Sequence, residues 1–443
     1  MPIILQEHQK IMVDFILKSK NRSVLLYHGL GSGKTLTALS MADQLVKKYP
    51  TKKIIIIAPS SLTSNFEREA TRLGIDRKKT KIVIESYGIF VNKSKLLERS
   101  VCRDSILIVD EVQNLNGINS TRFKHIFECA RKAFKVILLS ATPIKNRIND
   151  ITNTLSLLKG MPIPRSIVDR IFMISNDKMR EKKFSEIFKC NVSFYNNYNR
   201  LHYPDVKEHV VRLKMQDSFY KEYYKIQEDI KIDLPEPFTE TKNLTVFLNG
   251  IRRAVNKTKH ISPKIEWVVE KIISNLHKKR KILIYSNWLD SGLNIIKFIL
   301  DEASIDYGEI TGERNAAQKD RDVKKFNTDK MFILLVSASG SEGISLKGTR
   351  DVIILEPYWN KARIEQTVGR AIRFKSHLHL PENQRTVDIY YLILEKPINV
   401  EKNDKMPSAD TILYKMSKDK DLDIQRLYDI MQKNSIEHNK TCF

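Results

Sequence analysis

Residues 23–46 constrain the fold more than any other part of the chain. An apolar run, Ser23–Tyr27, passes into His28-Gly29-Leu30-Gly31-Ser32-Gly33-Lys34-Thr35, and a helical pattern over Leu36–Val46 follows. Strand, glycine-rich turn, Lys-Thr and helix is the setting of a phosphate-binding loop. Glycines let the backbone curl until several N–H groups point at phosphate oxygens. The helix N-terminus adds positive potential. In that setting Gly29, Gly31, Ser32 and Gly33 form the cradle, Lys34 reaches the β- and γ-phosphates of ATP, and the Thr35 hydroxyl ligates Mg²⁺. The strict spacing calls for glycine at position 28, where this chain has histidine.

A second block completes the chemistry. Ile106–Val109 reads as a buried strand that ends in Asp110-Glu111. At the C-terminal end of a parallel strand both carboxylates enter the crevice beside the phosphate loop. Asp110 is then the metal-side carboxylate and Glu111 the group that orients the attacking water. Phosphoryl transfer needs this positioning and charge neutralisation more than covalent help. Ser140-Ala141-Thr142-Pro143 follows the next apolar strand, and its hydroxyls are placed to relay between the nucleotide and a second lobe.

The rest of the chain repeats the rhythm after an interruption. Short apolar runs at Lys53–Ala58, Lys81–Glu85 and Val136–Ser140 join the two already named. Buried strands alternating with helical patterns predict an α/β fold with a parallel, doubly wound sheet. From about Gly160 to His260 the stretch is basic and aromatic and reads as mostly helical, its aromatics able to stack on bases but expected to pack a small core of their own. Strand patterns return at Lys281–Tyr285, Phe332–Val336, Asp351–Leu355 and Val387–Leu394. The expected order is a first lobe over 1–160, a helical insert over 161–260, a second lobe over 261–400 and a helical extension over 401–443.

In the second lobe Gln366–Arg373 predicts the start of a helix that places Arg370 and Arg373 on one face, three residues apart. Guanidinium forks suit phosphate, and arginine fingers stabilise charge in phosphoryl transfer. A two-lobed cleft would bring them to the γ-phosphate.

Composition narrows the partner. Lys and Arg number 76 against 52 Asp and Glu, a net charge of +24, and the chain has 443 residues. Such a balance points to a polyanion, nucleic acid first and an anionic membrane surface second. No apolar run approaches the ~20 residues that span a bilayer. Residues 1–5 do not read as a signal peptide. Cys102, Cys129, Cys190 and Cys442 form no CxxC pair, so neither a zinc site nor a disulfide framework is expected, and a reducing, intracellular setting follows.

Taken in order, these blocks resemble superfamily two helicases, over about 400 residues. Leu5–Gln9 resembles the family's glutamine-containing adenine motif, Gly31–Thr35 motif I, Asp110-Glu111-Val112-Gln113 motif II, Ser140–Pro143 motif III and Gln366–Arg373 motif VI. Ala58–Leu62 with Asn65–Glu69, and Ser262-Pro263-Lys264, are similar to the SWI/SNF-type branch. Gly340–Leu346 and Ile354–Asn360 are closest to members from large DNA viruses, of the poxvirus nucleoside triphosphate phosphohydrolase and early transcription factor small subunit type. The resemblance implies two RecA-like P-loop lobes and nucleic-acid-stimulated ATP hydrolysis, with DNA favoured over RNA. It also implies a link to viral transcription machinery, in host cytoplasm or virion. It assigns Gln9, Gly343 and Gln366 to the nucleotide, and Ser60, Ser61, Ser286, Asn287 and Ser337 to the nucleic-acid backbone. It leaves open the contact made by Gln113, which differs from the usual fourth residue of motif II. A strand-separating helicase and a non-hydrolysing transcription scaffold are the alternatives.

Overall fold

The computed structural model describes residues 4–29, 31–75, 80–96, 102–115, 120–144, 147–196, 202–232, 241–338, 344–359, 361–402 and 404–442. Two compact units share the chain, one formed by residues 1–197 with 420–443 and the other by 198–419.

The first unit is built on six strands: β1 Ser23–His28, β2 Lys53–Ala58, β3 Ile82–Ser86, β4 Ser105–Val109, β5 Lys135–Ser140 and β6 Val192–Tyr195. They lie in the order β3-β2-β4-β5-β1-β6, with every pairing parallel. Successive side chains point to opposite faces, so one strand feeds two cores. Leu25, Ile55, Leu107 and Leu138 face one layer of helices, while Leu26, Ile56, Ile108 and Ile137 face the other. Covering both faces requires strands that are apolar at every position, and β1, β4 and β5 are buried along their whole length. The last turns of the helix Ala409–Lys433 complete this unit, with Leu427, Ile430 and Met431 in its core.

The second unit contains β7 Asp205–Lys214, β8 Lys281–Ser286, β9 Gly308–Ile310, β10 Ile333–Ser337, β11 Thr349–Ile354 and β12 Thr386–Glu395. Their order is β7-β12-β11-β8-β10-β9, again all parallel. A third apolar cluster joins the helix Asp217–Ile232 to Thr241–Ile251 through Phe219, Tyr220, Tyr223, Phe247 and Leu248. Phe219, Tyr220 and Tyr223 are core residues, which favours packing over base stacking for them.

Every strand expected from the sequence is present, its ends shifted by at most two residues. The stretch 161–260 departs from the mostly helical expectation by adding β6 to one sheet and β7 to the other. Both are edge strands. β7 is largely solvent-exposed along its length, so its sequence lacks the apolar run that marked the inner strands.

The cysteines overturn the expectation of free thiols. Cys102 pairs with Cys129, and Cys190 with Cys442, at Cα separations of 5.2 and 5.3 Å. No cysteine remains free. Partners 27 and 252 residues apart leave no local spacing signal, because the fold alone brings them together. Among the described residues no helix is long and apolar enough to cross a membrane.

Candidate nucleotide and nucleic-acid sites

The phosphate loop leaves the C-terminal end of β1 and enters the helix Lys34–Lys48. Gly31 and Gly33 hold φ of +75° and +83°, in the left-handed region that side chains disfavour. A Cβ on Gly33 would also stand 2.6 Å from Gln9 Nε2. Gln9 is buried, donates to the Gly33 carbonyl at 3.4 Å and accepts from the Gln6 N–H at 2.9 Å, so the adenine-motif glutamine and the loop are one assembly. Ser32 Oγ donates to the Gly29 carbonyl at 2.6 Å and closes the turn. Lys34 Nζ rests on the carbonyls of His28 and Gly29, at 2.8 and 3.2 Å. The Thr35 hydroxyl accepts a 3.4 Å contact from Asn65 Nδ2, which ties the Asn65–Glu69 block to the loop.

His28 explains its own departure from the glycine spacing. Its backbone is not among the positive-φ positions, so nothing there demands glycine. Its ring is fully buried below the loop. His8 lies beside it, stacked on Tyr195 with centroids 3.6 Å apart. Burial holds the His8 pKa down to about 4, with the hydrogen bond to the Ser32 carbonyl opposing.

The carboxylates leave the same edge of the same sheet. β4 ends at Val109, β5 at Ser140 and β1 at His28, and β5 lies between the other two. Asp110 is buried and caps the Glu111 N–H at 2.9 Å. Glu111 itself holds φ of +50°, a strained conformation for a residue with a side chain. Buried Tyr87 donates its hydroxyl to the carbonyls of Asp110 and Glu111. Burial, reinforced by both acids, pushes the Tyr87 pKa well up. Gln113 settles the contact left open by the sequence. Its amide nitrogen donates to Glu111 Oε2, and its amide oxygen accepts from Ser140 Oγ at 2.7 Å. Ser140 Oγ also receives the Thr142 N–H at 3.0 Å. Motifs II and III are thus one hydrogen-bonded chain, carried by an amide that can donate and accept at once.

In the second unit Ser286 and Ser337 end the neighbouring strands β8 and β10 in register, and both are buried. Ser286 and Asn287 do not present their polar groups to an edge. Ser286 Oγ donates to Glu356 at 3.0 Å, and Asn287 donates to the same carboxylate from both its backbone and its amide. Asn256 Nδ2 adds a fourth donor at 3.0 Å. Burial raises the Glu356 carboxyl despite these donors and the nearby Lys264 charge. The backbone-binding role expected for Ser286 and Asn287 is therefore not displayed by their side chains. By contrast Ser60 and Ser61 are exposed in the turn after β2. Trp288 lies against the guanidinium groups of Arg252 and Arg253, each 4.5 Å from the ring centroid.

The arginine motif sits at the end of a helix rather than its start. The helix runs Lys361–Ala371 and contains Gln366 and Arg370, while Arg373 follows its last turn. The two are not neighbours on one helical face, but their guanidinium charges interact. Burial first, and Arg370 second, lower the Arg373 pKa to about 10. Gly343 lies outside the described residues. The structure gathers Gln9, Gly29, Gly31–Thr35, Asp110 and Glu111 along one sheet edge of the first unit. Gln366, Arg370, Arg373, Ser286, Asn287 and Ser337 belong to the second.

Three family descriptions match the chain: "Type III restriction enzyme, res subunit" over residues 2–145, "SNF2-related domain" over 74–262 and "Helicase conserved C-terminal domain" over 263–375. A putative ATP-dependent RNA helicase of Acanthamoeba polyphaga mimivirus is 33% identical over 417 residues, which cover 88% of each chain. The chain belongs to the SNF2-related helicase family. As such it is a helicase-superfamily ATPase. This SNF2-related helicase is also similar to nucleoside triphosphatase I of Choristoneura biennis entomopoxvirus, 25% identical over 99% of this chain and 80% of that one. Among solved structures it matches the Sulfolobus solfataricus SWI2/SNF2 ATPase core in complex with dsDNA, at 20% identity and a TM-score of 0.42, with 88% of each chain covered.

Sequence reasoning missed Tyr87, Asn65 as a partner of Thr35, and Glu356. Tyr87 carries no motif, and Glu356, though inside the Ile354–Asn360 block, carried no assigned role; only the fold brings each to the polar groups it serves.

Proposed function

We propose that this protein is an ATP-dependent translocase of DNA, active in a viral setting, in which Gly29–Thr35 cradle the triphosphate and Glu111 orients the attacking water. The observation that carries the reading is the chain Glu111–Gln113–Ser140, aligned along the sheet edge from which the phosphate loop also emerges. Lys34 is held on two loop carbonyls, contacts a γ-phosphate can outcompete because charge-assisted bonds to phosphate are stronger. Thr35 and Asp110 are oxygen donors and suit a hard divalent cation, which usually keeps several waters. Bound there, Mg²⁺ supplies charge neutralisation on the phosphates. Arg370 and Arg373 are assigned the developing transition-state charge. Ser60 and Ser61 are assigned to the nucleic-acid backbone, where short hydroxyls contact phosphate without reading sequence. The +24 charge supports a polyanionic track.

A place beside viral transcription machinery, in host cytoplasm or virion, belongs to the same proposal. It rests on the resemblance of Gly340–Leu346 and Ile354–Asn360 to transcription-linked viral ATPases, and on the viral relatives.

The test is ATP hydrolysis with duplex DNA, single-stranded DNA and RNA as separate activators, for wild type and Glu111→Gln. Duplex DNA is expected to stimulate most. Glu111→Gln should lower stimulated turnover ~10²–10⁴-fold while nucleotide affinity survives. Stimulation by RNA alone would reassign the track. Wild-type turnover in the variant would remove Glu111 from the mechanism.

A further inference from the structure

The C-terminal segment reaches the phosphate loop through an unbroken set of hydrogen bonds. Past the helix Ala409–Lys433, the Ile436 N–H donates to the Val192 carbonyl at 2.9 Å, laying the chain along the outer side of β6. Glu437 follows. One carboxylate oxygen accepts the Phe194 N–H at 3.0 Å and the other accepts the Ser193 hydroxyl. Ser193 Oγ meets His28 Nε2 at 2.7 Å. Because the serine proton is committed to Glu437, the serine lone pair must accept from His28, which sets the imidazole as the Nε2–H tautomer. His28 Nδ1 has no hydrogen-bond partner among the described residues, so this contact is the ring's polar anchor. His28 is also the residue whose carbonyl receives Lys34 Nζ at 2.8 Å.

The segment is secured on both sides of Glu437. Ile436 is buried in the apolar cluster formed with the first-unit helices, and Cys442 is bonded to Cys190, two residues before β6. β6 in turn holds the loop directly, since the Gly29 N–H donates to the Tyr195 carbonyl at 2.8 Å. A glycine at position 28 could not be gripped this way. The histidine there gives the loop a handle that the strict motif lacks.

We infer that Glu437 is a positioning residue for nucleotide binding: acting through Ser193 and His28, it holds in place the backbone from which the phosphate loop leaves β1 and so sets the affinity of that loop for ATP. This deepens the nucleotide-site reading and rests on it. The carboxylate never touches nucleotide. Its loss frees the His28 ring to rotate and the loop to relax, which weakens ATP capture more than the hydrolytic step.

The experiment measures KM for ATP and active-site-normalised kcat at saturating nucleic acid, together with thermal stability, on the full chain. Glu437→Ala is expected to raise KM by roughly tenfold with kcat within about twofold. Glu437→Gln, which keeps one acceptor oxygen where two donors converge, should recover only part of the loss. Ser193→Ala should reproduce the KM rise, and the double variant should be no worse than either single one, because all three residues act in series. A role confined to stability would instead lower Tm and leave KM unchanged in both variants, and that result overturns the inference. Should Glu437→Ala fail to fold, Ser193→Ala decides alone. Lys34→Ala serves as the reference. If it leaves ATP turnover intact, the phosphate-loop reading itself has failed; if it abolishes turnover while Glu437→Ala and Ser193→Ala keep wild-type KM, only the positioning role has.

Discussion

At the C-terminal edge of the first sheet Ser140 and Gln113 form a chain that ends on Glu111. At the same edge of the second, Ser286, Asn287 and Asn256 converge on Glu356. Residue types and strand positions are alike, yet the two acids are in opposite conditions. A carboxylate has about four lone-pair positions. Glu356 is buried and receives four donors, so its capacity is spent on holding a turn. Among the described residues the Glu111 side chain accepts from Gln113 alone, and it is only half-buried. An acid with spare acceptor capacity at a sheet edge can meet water and metal; a saturated one is scaffolding. Motif spelling does not separate the two cases, whereas the donor count around each carboxylate does.

The largest expected effect lies on the second unit's claim to chemistry. Arg370→Ala should reduce turnover ~10³-fold or more at saturating ATP and nucleic acid, with modest loss of ATP affinity. Near-normal turnover there would leave catalysis to the first unit and make the second a pure nucleic-acid clamp. Next comes the saturated carboxylate. Glu356→Ala strands several buried donors, each costing about 1–3 kcal/mol, so a total near 3 kcal/mol or more is expected. Thermal denaturation should show it as a Tm drop of roughly 6–12 °C. Glu111→Gln should leave Tm almost unmoved. Equal Tm losses in the two variants would erase the distinction between working and scaffold acids.

The smallest effect separates exposed from buried serines. Wild-type affinity for nucleic acid should fall linearly with salt on logarithmic axes. Ser60→Ala with Ser61→Ala should weaken binding by about two- to fivefold at every salt concentration without changing that slope, because hydroxyls release no counterions. Ser286→Ala should lower Tm before it lowers affinity. A change of slope in the Ser60 and Ser61 variants would mean that their loss displaces charged contacts as well.

The legible parts of the molecule are those where one local pattern decides one structure. Strands β1, β4 and β5 are buried on both faces and announce themselves as continuous apolar runs. Gly31 and Gly33 announce a turn that only glycine enters cheaply. β7 stayed hidden because it is mostly exposed, and β6 because its four residues, Val192–Tyr195, are too few to announce a run. Gln113 was left open because its meaning depends on Ser140, a neighbour across the sheet rather than along the chain. Ser286 matched a backbone-binding position by spelling, but Glu356, 70 residues later, had already claimed its hydroxyl. The disulfides failed for the same reason at greater range. Arg370 and Arg373 were expected within one helix; it ends at Ala371, and the Arg373 N–H turns to Ser376 Oγ at 3.2 Å.

The first unit is assembled from two separated stretches of chain, 1–197 and 420–443, with the whole of 198–419 between them. On a ribosome making roughly 5–20 residues per second, that interval lasts some ten to forty seconds. During it β6 has emerged while Ile436, Glu437 and Cys442, which cover its outer side, do not yet exist. The second unit is continuous and can close its own sheet first. The earliest-made lobe is therefore the last whose chain is complete, and the nucleotide loop gains its Glu437 contact only after the whole of 198–419 has been synthesised.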